Sequence, residues 1–499
     1  MIGKMLTDEQ VRRIFGLKLQ QIRNGQGLSL LGLSKLTGLS KSYLSEIERG
    51  KKYPKPDKVV QLVEALNTQY DELVSLKLSG KMAPLSEIIQ SGILKEIPLE
   101  LFGIDEGDLI DIIVEAPERV TAFISTIFEI AKNYDVTREN FYLAALRSYQ
   151  ESHDNYFPDI EEEVEACARR YQINQHQKIQ SVELQEILEQ EFNYTVEYKT
   201  LAEASLPKEI RSIFIPTKKK LLISPTVSET QRVFILAKEL GYAFLKIKER
   251  PFTFTWIKFE NFEDVLNNFK ASYFAGALII PKKRIIEDIR AFFNTTTWDP
   301  ERFLKLMFSY TDSAETFFQR LTNILSVHFG LKELFFLRLT YNPQTQYPDL
   351  NKELHLARNH QPHAIKSLEH YCQRWVSSEI LRNSSLFYQK DEIHTGIQKS
   401  KYGTGEEYII FSASNSDPFN EKSSRSVCIG ILLSKKQKKK ISFTDDPVIP
   451  RQMVGVTCER CNIEDCKVRA APPVIHLKNQ KNKAIEKKVY TLINQQQEE

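Results

Sequence analysis

Between Glu9 and Gly50 three short helix-like segments follow one another with glycines at the joints, and few folds accept that rhythm. Apolar Val11, Ile14, Phe15, Leu19 and Ile22 recur at three- and four-residue spacing over Glu9 to Asn24, which predicts an amphipathic helix with a basic opposite face. Gly25 and Gly27 end it. Ser29 is placed to cap a second helix through Lys35, Gly38 breaks that helix, and Ser40 caps a third running to about Glu48 before Gly50. After the turn at Pro54 and Pro56, Val59, Leu62, Val63 and Leu66 give a further helix, Asp57 to Leu66, an apolar face to close a small core. Five short helices up to about Leu76 are expected.

The residues of this stretch are specific enough to compare with a known family. Gly27-Leu28-Ser29, Leu33, Leu36, Thr37-Gly38-Leu39-Ser40, Tyr43-Leu44-Ser45, Ile47-Glu48-Arg49-Gly50 and Pro54 resemble the lambda-repressor/XRE helix-turn-helix family. The resemblance implies that the third helix enters the major groove of duplex DNA. Lys41, Ser42 and Ser45 are then candidates for base-edge or phosphate contact, Lys51, Lys52 and Lys55 for phosphate neutralisation, and Ser29, Ser40 and Tyr43 for the surrounding contact surface. Leu30 stands where the family usually has a glutamine, so that polar contact is expected to be lost.

The whole chain of 499 residues carries a net charge of only +3, so an affinity for nucleic acid has to come from this local patch. Its length and its 41% hydrophobic and 27% charged residues fit two to four globular domains. No segment approaches the roughly 20 apolar residues of a membrane span, and Met1 to Leu6 does not read as an export signal; the expectation is a cytoplasmic protein with no membrane partner. From about Pro84 to Asn174 the pattern is helical, with Leu109, Ile112, Ile113, Phe123, Ile124, Ile127, Phe128 and Ile130 at helical spacing. Glu161, Glu162, Glu163 and Glu165 read as a solvated acidic face, and Cys167 as isolated. Strand-like Thr195 to Tyr198, Ser212 to Ile215 and Leu221 to Ile223 lead into a helix over Glu229 to Leu245, which together predict a small α+β domain.

Within that helix, Ala237-Lys238-Glu239-Leu240-Gly241-Tyr242-Ala243 resembles the surroundings of the H-E-x-x-H motif in ImmA/IrrE-like zinc peptidases. The motif's chemistry needs two histidines one turn apart on zinc and a glutamate to activate water. Lys238 and Tyr242 replace the histidines, Lys270 replaces the third ligand in the downstream helix, and only Glu239 remains. An ammonium and a phenol make no zinc site at neutral pH, so the domain is expected to be a degenerate zincin and the chain not an enzyme. A reused pocket for an anionic small molecule would draw on Lys238, Tyr242, Lys270, Tyr273 and Arg320.

Three of the six cysteines lie in Cys458-Glu459-Arg460-Cys461-Asn462-Ile463-Glu464-Asp465-Cys466, a spacing that lets their thiolates converge on one metal. Cys372 is the favoured fourth ligand, whereas Cys428, in an apolar strand-like run, reads as a buried structural thiol. Four thiolates suit zinc as well as a [4Fe-4S] cluster. The run from Thr226 to Val474 resembles the short-chain fatty-acyl transcriptional regulators. The resemblance rests on Arg232 to Ala237, Tyr273-Phe274-Ala275, Leu278 to Pro281, Gln319-Arg320-Leu321-Thr322, Phe335 to Arg338, Cys372 with Trp375, and the box Cys458 to Pro473. Gln373, Arg374 and Ala471 depart from that pattern without removing a ligand. The resemblance implies a short-chain acyl-CoA effector and favours iron-sulfur over zinc.

The expected architecture is multidomain. An all-α helix-turn-helix domain (1–78) and a helical connecting region (79–180) precede a degenerate ImmA/IrrE-like α+β domain (181–295). An α+β C-terminal acyl-regulator domain with the cysteine cluster (296–477) and a charged tail (478–499) complete it. The lysines between 435 and 440 read as a charged loop. The functional expectation is a regulator that binds a DNA operator as a homodimer or higher homo-oligomer and answers to an acyl-CoA-like anion. Two alternatives stand beside it: a redox or metal sensor whose input is the cluster itself, and, disfavoured by the missing ligands, an ImmA-like metallopeptidase.

Overall fold

The structure is a computed structural model and describes residues 8–75, 138–203, 210–251, 261–342, 344–356, 369–384, 392–417 and 420–498. The apolar pattern expected between Leu109 and Ile130 lies outside them. The chain divides into two compact units, Met1–Ala145 with Glu260–Phe262, and Leu146–Phe259 with Glu263–Glu499.

In the first unit the five expected helices are present: α1 Asp8–Gly25, α2 Leu30–Thr37, α3 Lys41–Glu48, α4 Pro56–Ala65 and α5 Tyr70–Val74. Phe15, Leu19, Leu33, Leu44, Ile47, Val59, Leu62 and Leu73 form one buried core beneath them. Gly38 ends α2 with φ +68°, a conformation that costs glycine nothing. Gly16 sits where α1 crosses the end of α3: a Cβ there would stand 2.3 Å from the Ile47 carbonyl oxygen. Arg23 fastens the same two helices, its Nε 2.6 Å from Glu48 Oε1 and its Nη2 2.9 Å from Oε2, with Nη1 donating to the Leu28 carbonyl at 2.6 Å.

The second unit begins within α6 (Arg138–Ser152) and continues with α7 Pro158–Arg170 and α8 Ser181–Phe192. Strand β1 Thr195–Glu197, the short α9 Thr200–Glu203, β2 Ser212–Ile215 and β3 Lys220–Ile223 come next. These strands form a three-stranded sheet in the order β1-β3-β2, parallel at β1/β3 and antiparallel at β2/β3. A helical layer follows: α10 Glu229–Phe244, α11 Phe262–Ile279, α12 Lys282–Phe293, α13 Pro300–Phe308 and α14 Ala314–His328. The last third is a six-stranded sheet in the order β5-β4-β8-β7-β6-β9, built from β4 Leu334–Asn342, β5 Tyr347–His355, β6 His394–Tyr402, β7 Glu407–Asp417, β8 Asn420–Leu432 and β9 Arg451–Val454. Helix α15, Val376–Ser384, packs on that sheet. No helix among the described residues is long and apolar enough to cross a membrane.

One continuous apolar core runs from Phe157 through Leu236, Phe274, Phe318 and Phe336 to Ile449. The boundaries expected at 180/181 and 295/296 therefore do not separate independent cores. Helix α14 packs on β4 and β8 of the large sheet, while α8 lies against β1 of the small one. The lysines at 435 to 440 are not simply a loop: Lys435–Lys438 forms a single helical turn, α16, capped reciprocally by Ser434 and Gln437. Lys440 turns back onto the carbonyls of Phe329 and Gly330 just past the end of α14. The tail is the exposed helix α17, Val474–Glu498.

Of the acidic run on α7, Glu162 and Glu163 are exposed as expected, but Glu161 is not. It is 1% exposed and receives Arg320 Nη1 at 2.5 Å and Nη2 at 3.0 Å, with the Tyr273 hydroxyl donating at 2.8 Å. Arg320 Nε also donates to the Ile280 carbonyl at 3.0 Å, so the pair ties α7, α11 and α14 together. Burial works to raise the Glu161 carboxyl, but the Arg320 charge and these hydrogen bonds outweigh it and hold it below the ordinary carboxylate value. Glu161→Gln leaves the guanidinium buried without its counter-ion and is expected to cost about 3–5 kcal/mol, read as a lower urea midpoint. The wild-type contribution is present above the ordinary carboxylate value and is lost as pH falls through the lower folded value; the variant should lack that acid dependence.

Candidate nucleic-acid interface and disabled metal site

The turn between α2 and α3 is organised by two serine caps. Ser29 Oγ accepts from the Gly32 N–H at 3.0 Å and Ser40 Oγ from the Tyr43 N–H at 3.1 Å. Both hydroxyls are exposed and keep a proton to donate outward. Leu44 and Ile47 anchor α3 in the core, which leaves Lys41 and Ser42 exposed and Tyr43 and Ser45 half-buried at its N-terminal half. Lys51, Lys52 and Lys55 are exposed beyond it. Lys52 carries an ion pair to Glu46 at 2.7 Å, so a phosphate there would have to take over that partner. Leu30, in place of the glutamine, packs partly into the core. The Arg23–Glu48 pair that holds α3 against α1 was not anticipated; its partners are 25 residues apart and no local pattern couples them.

In the second unit the degenerate H-E-x-x-H segment lies on α10, started by a capping box between Ser228 and Gln231. Lys238 is 2% exposed and its ammonium donates to Asn268 Oδ1 at 2.6 Å, to which the Tyr242 hydroxyl donates at 3.4 Å. Glu239, equally buried, is taken by a residue the sequence did not single out. Arg250 reaches Oε1 through Nη2 at 3.0 Å and Oε2 through Nη1 at 2.7 Å, and the Tyr194 hydroxyl adds a contact at 3.5 Å. The guanidinium is sandwiched between Phe214, 3.7 Å from the ring centre, and Tyr242, 4.2 Å away. Burial pushes the Glu239 carboxyl up against the opposing pull of Arg250, and burial drives Lys238 well below the usual lysine value. A water-activating base needs a lone pair directed at water; here both carboxylate oxygens face a fixed cation.

The five residues expected to form an anion pocket do not converge as one free cationic surface. Arg320 and Tyr273 are spent on Glu161, Lys238 and Tyr242 share Asn268, and Lys270 lies half-buried on α11. Glu161, placed by its neighbours on a solvated face, turns inward and pairs with Arg320.

The cysteines are brought together in part. A bridge between Tyr371 and Thr457, with Cys372 N–H on the Val456 carbonyl at 3.0 Å and Cys458 N–H on the His370 carbonyl at 2.8 Å, lays the upstream cysteine along the downstream box. Cys372, Cys458 and Cys461 are buried and Cys466 is half-buried on the turns that follow. The Gly455 N–H points at Cys372 Sγ at 3.4 Å and the Ala470 N–H at Cys458 Sγ at 3.3 Å. A Cβ at Gly455 would lie 2.9 Å from Cys461 Sγ, so only glycine lets that sulfur approach. Burial pushes the Cys372 thiol up to about 12, with the Cys461 and Cys458 sulfurs adding to the rise and the Gly455 and Arg374 N–H groups opposing it. Donors aimed at sulfur fit thiolates that hold a metal. Among the described residues, no three His, Cys, Asp or Glu side chains are closed around a common point as in a formed site. Cys428 is buried on β8 and Cys167 on α7, both in apolar cores.

Residues 19–73 match the helix-turn-helix family, and residues 188–322 match the IrrE N-terminal-like domain. The second match begins on α8 and runs to α14, past the boundary expected at residue 295. A Mycobacterium tuberculosis transcriptional regulator of known structure aligns at 17% identity over 65% of this chain and 92% of its own, with a TM-score of 0.45. No curated protein matches the chain. The N-terminal stretch is thus a helix-turn-helix domain of the kind that binds DNA, and the stretch from 188 to 322 an IrrE N-terminal-like domain with Lys238 and Tyr242 at the positions of the motif's histidines.

With or without added zinc, the purified chain is expected to cleave casein no faster than a buffer control. Zinc-stimulated cleavage that disappears in Glu239→Gln would contradict the disabled site.

Proposed function

We propose that the chain is a cytoplasmic, sequence-specific transcriptional regulator that is not a peptidase. It reads a two-fold operator as a homodimer and changes its DNA affinity when an anionic metabolite of the short-chain acyl-CoA class binds its body. The observation that carries the reading is α3: a capped helix whose apolar residues are buried in the five-helix core while Lys41, Ser42 and the edge of Ser45 face outward, flanked by exposed Lys51 and Lys52. Serine hydroxyls and a lysine at the head of such a helix suit base edges and phosphates, and the following lysines suit the backbone. The acyl-CoA class and the control of short-chain fatty acid metabolism rest on the sequence resemblance to short-chain fatty-acyl regulators. An effector alters regulation only if it binds the DNA-competent and incompetent states unequally.

Cys372, Cys458, Cys461 and Cys466 would hold a thiolate-bound metal centre in this reading, a [4Fe-4S] cluster before zinc. Such a cluster supplies a one-electron redox centre, whereas zinc supplies only a crosslink. The chain's own part is to bring Cys372 beside the downstream box, to supply N–H groups to two sulfurs, and to exclude water with Trp375, whose indole N–H donates to the Gly455 carbonyl at 3.0 Å.

Two experiments test these claims. In gel shifts on a duplex selected from a random pool, Lys41→Ala with Ser42→Ala should weaken binding at least tenfold, about 1–3 kcal/mol per lost base contact, while circular dichroism stays unchanged. Acetyl- or propionyl-CoA should move the wild-type titration; no shift with either would remove the effector claim. Anaerobic purification should give a brown protein with iron and sulfide in cluster proportion, and Cys458→Ala should bleach it; a colourless zinc protein would replace the cluster by zinc.

A further inference from the structure

Helix α17 is rooted in the cysteine box and exposed beyond it. The N–H groups of Ile475 and His476, at its first turn, both donate to the Glu459 carbonyl at 3.0 Å, so the box sets the direction in which the helix leaves. From Leu477 to Gln495 every side chain is exposed. Twenty-five residues make a helix about 37 Å long, and helices in proteins draw most of their stability from packing an amphipathic face.

The apolar side of α17 has a definite period. Ile485, Val489 and Leu492 follow one another at spacings of four and three, and they are 50%, 47% and 62% exposed. The seven-residue frame they set, extended towards the body, places Ile475, Asn482 and Val489 at the first core position, a, and Lys478, Ile485 and Leu492 at the second, d. A β-branched residue at a with leucine at d favours two parallel strands, and a lone asparagine at a fixes their register by meeting its own copy. Val489 with Leu492 supplies the first feature and Asn482 the second.

The charges beside this seam are complementary to a parallel copy. Lys481 precedes Asn482 at position g, and Glu486 follows Ile485 at position e. In a parallel pair each g residue meets the e residue five positions on in the other helix, so Lys481 meets Glu486 on both sides of the dyad. Lys488 then lies over Ile493, which its alkyl stem covers. An antiparallel pair sets g against g, which brings lysine against lysine. An anionic lipid surface would attract the lysines but gain nothing from Asn482 and Glu486 on the same face. Lys478 is the one misfit at a core position, and its long stem lets the ammonium reach water.

We propose that α17 is the dimerisation helix of this chain. Two copies pair as a parallel two-stranded coiled coil along Asn482, Ile485, Val489 and Leu492, flanked by two symmetric pairs of Lys481 with Glu486. The pairing gives the homodimer proposed above its contact surface and rests on that reading for its role at an operator, while its contact chemistry stands on α17 alone. It also brings the two cysteine boxes to the same end of the seam.

The test is sedimentation equilibrium of the full chain at low salt, where exposed charge pairs are least screened. Wild type should dimerise reversibly, and Ile485→Asp with Leu492→Asp should raise the dissociation constant at least tenfold. Lys481→Glu and Glu486→Lys should each raise it severalfold. The two charge changes together should return it to within about twofold of wild type, because they exchange the ends of one pair. Lys487→Glu, on the outer side of the helix, should leave it unchanged. The charge variants decide the matter even if the aspartates unwind the helix. A monomeric wild type, an unchanged constant in the aspartate variant, or a double exchange no better than its single changes would overturn the pairing. If a monomeric chain sediments instead with vesicles containing phosphatidylglycerol, the face belongs to a lipid surface and the pairing falls. If the aspartate variant still dimerises and occupies the selected duplex as wild type does, α17 is not the interface and the homodimer reading survives. If dimerisation follows the predicted pattern while no duplex is bound specifically, the helix pairing stands and the regulator reading falls.

Discussion

An ion taken out of water has to meet its counter-ion at contact distance, and this chain builds its key junctions on that requirement. Arg23 meets Glu48 where α3 leans on α1; Arg320 meets Glu161 where α7, α11 and α14 join; Arg250 meets Glu239 on α10. Each arginine engages both oxygens of its carboxylate, and each pair is nearly solvent-free. Such pairs add little net stability over well-packed apolar residues, but removing one partner is costly, so they fix geometry more than they raise stability. Glu315 and Glu165 are different again, each with three cations within ion-pair distance.

What could be foreseen from the amino-acid order follows the range of the forces involved. The first four N-terminal helices fall within one or two residues of their expected ends, because caps such as Ser29 and Ser40 and breakers such as Gly38 act within one turn. Ser212–Ile215 and the helix beginning at Glu229 were legible for the same reason. The buried pairs were not: Glu161 and Arg320 are 159 positions apart, and a glutamate flanked by Glu162 and Glu163 carries no local mark of facing inward. Arg250 lacked any signal, since the segment around Glu239 does not tell which cation beyond the end of α10 will pair with its carboxylate. The cations around Glu315 would have required strand register, which pairs Arg338 with Lys352 and sets Arg425 beside them.

The body of the protein gains coherence from its single core. A peptidase-like helix layer and a six-stranded sheet share apolar contacts from Phe157 to Ile449, so a change in charge at Glu315 or near Lys238 acts on one packed unit. On α10, Glu239 is held by Arg250, whose guanidinium lies between the rings of Phe214 and Tyr242.

The central claim is that α3 reads a DNA sequence, and the most direct measurement is the ratio of affinities for a selected duplex and a scrambled duplex of equal length at about 150 mM salt. A sequence-specific regulator should show a ratio of roughly 10³ or more, with both affinities falling steeply as salt rises. A ratio near one, with only the salt-dependent component left, would mean that the N-terminal domain binds phosphate without reading bases and would contradict the account.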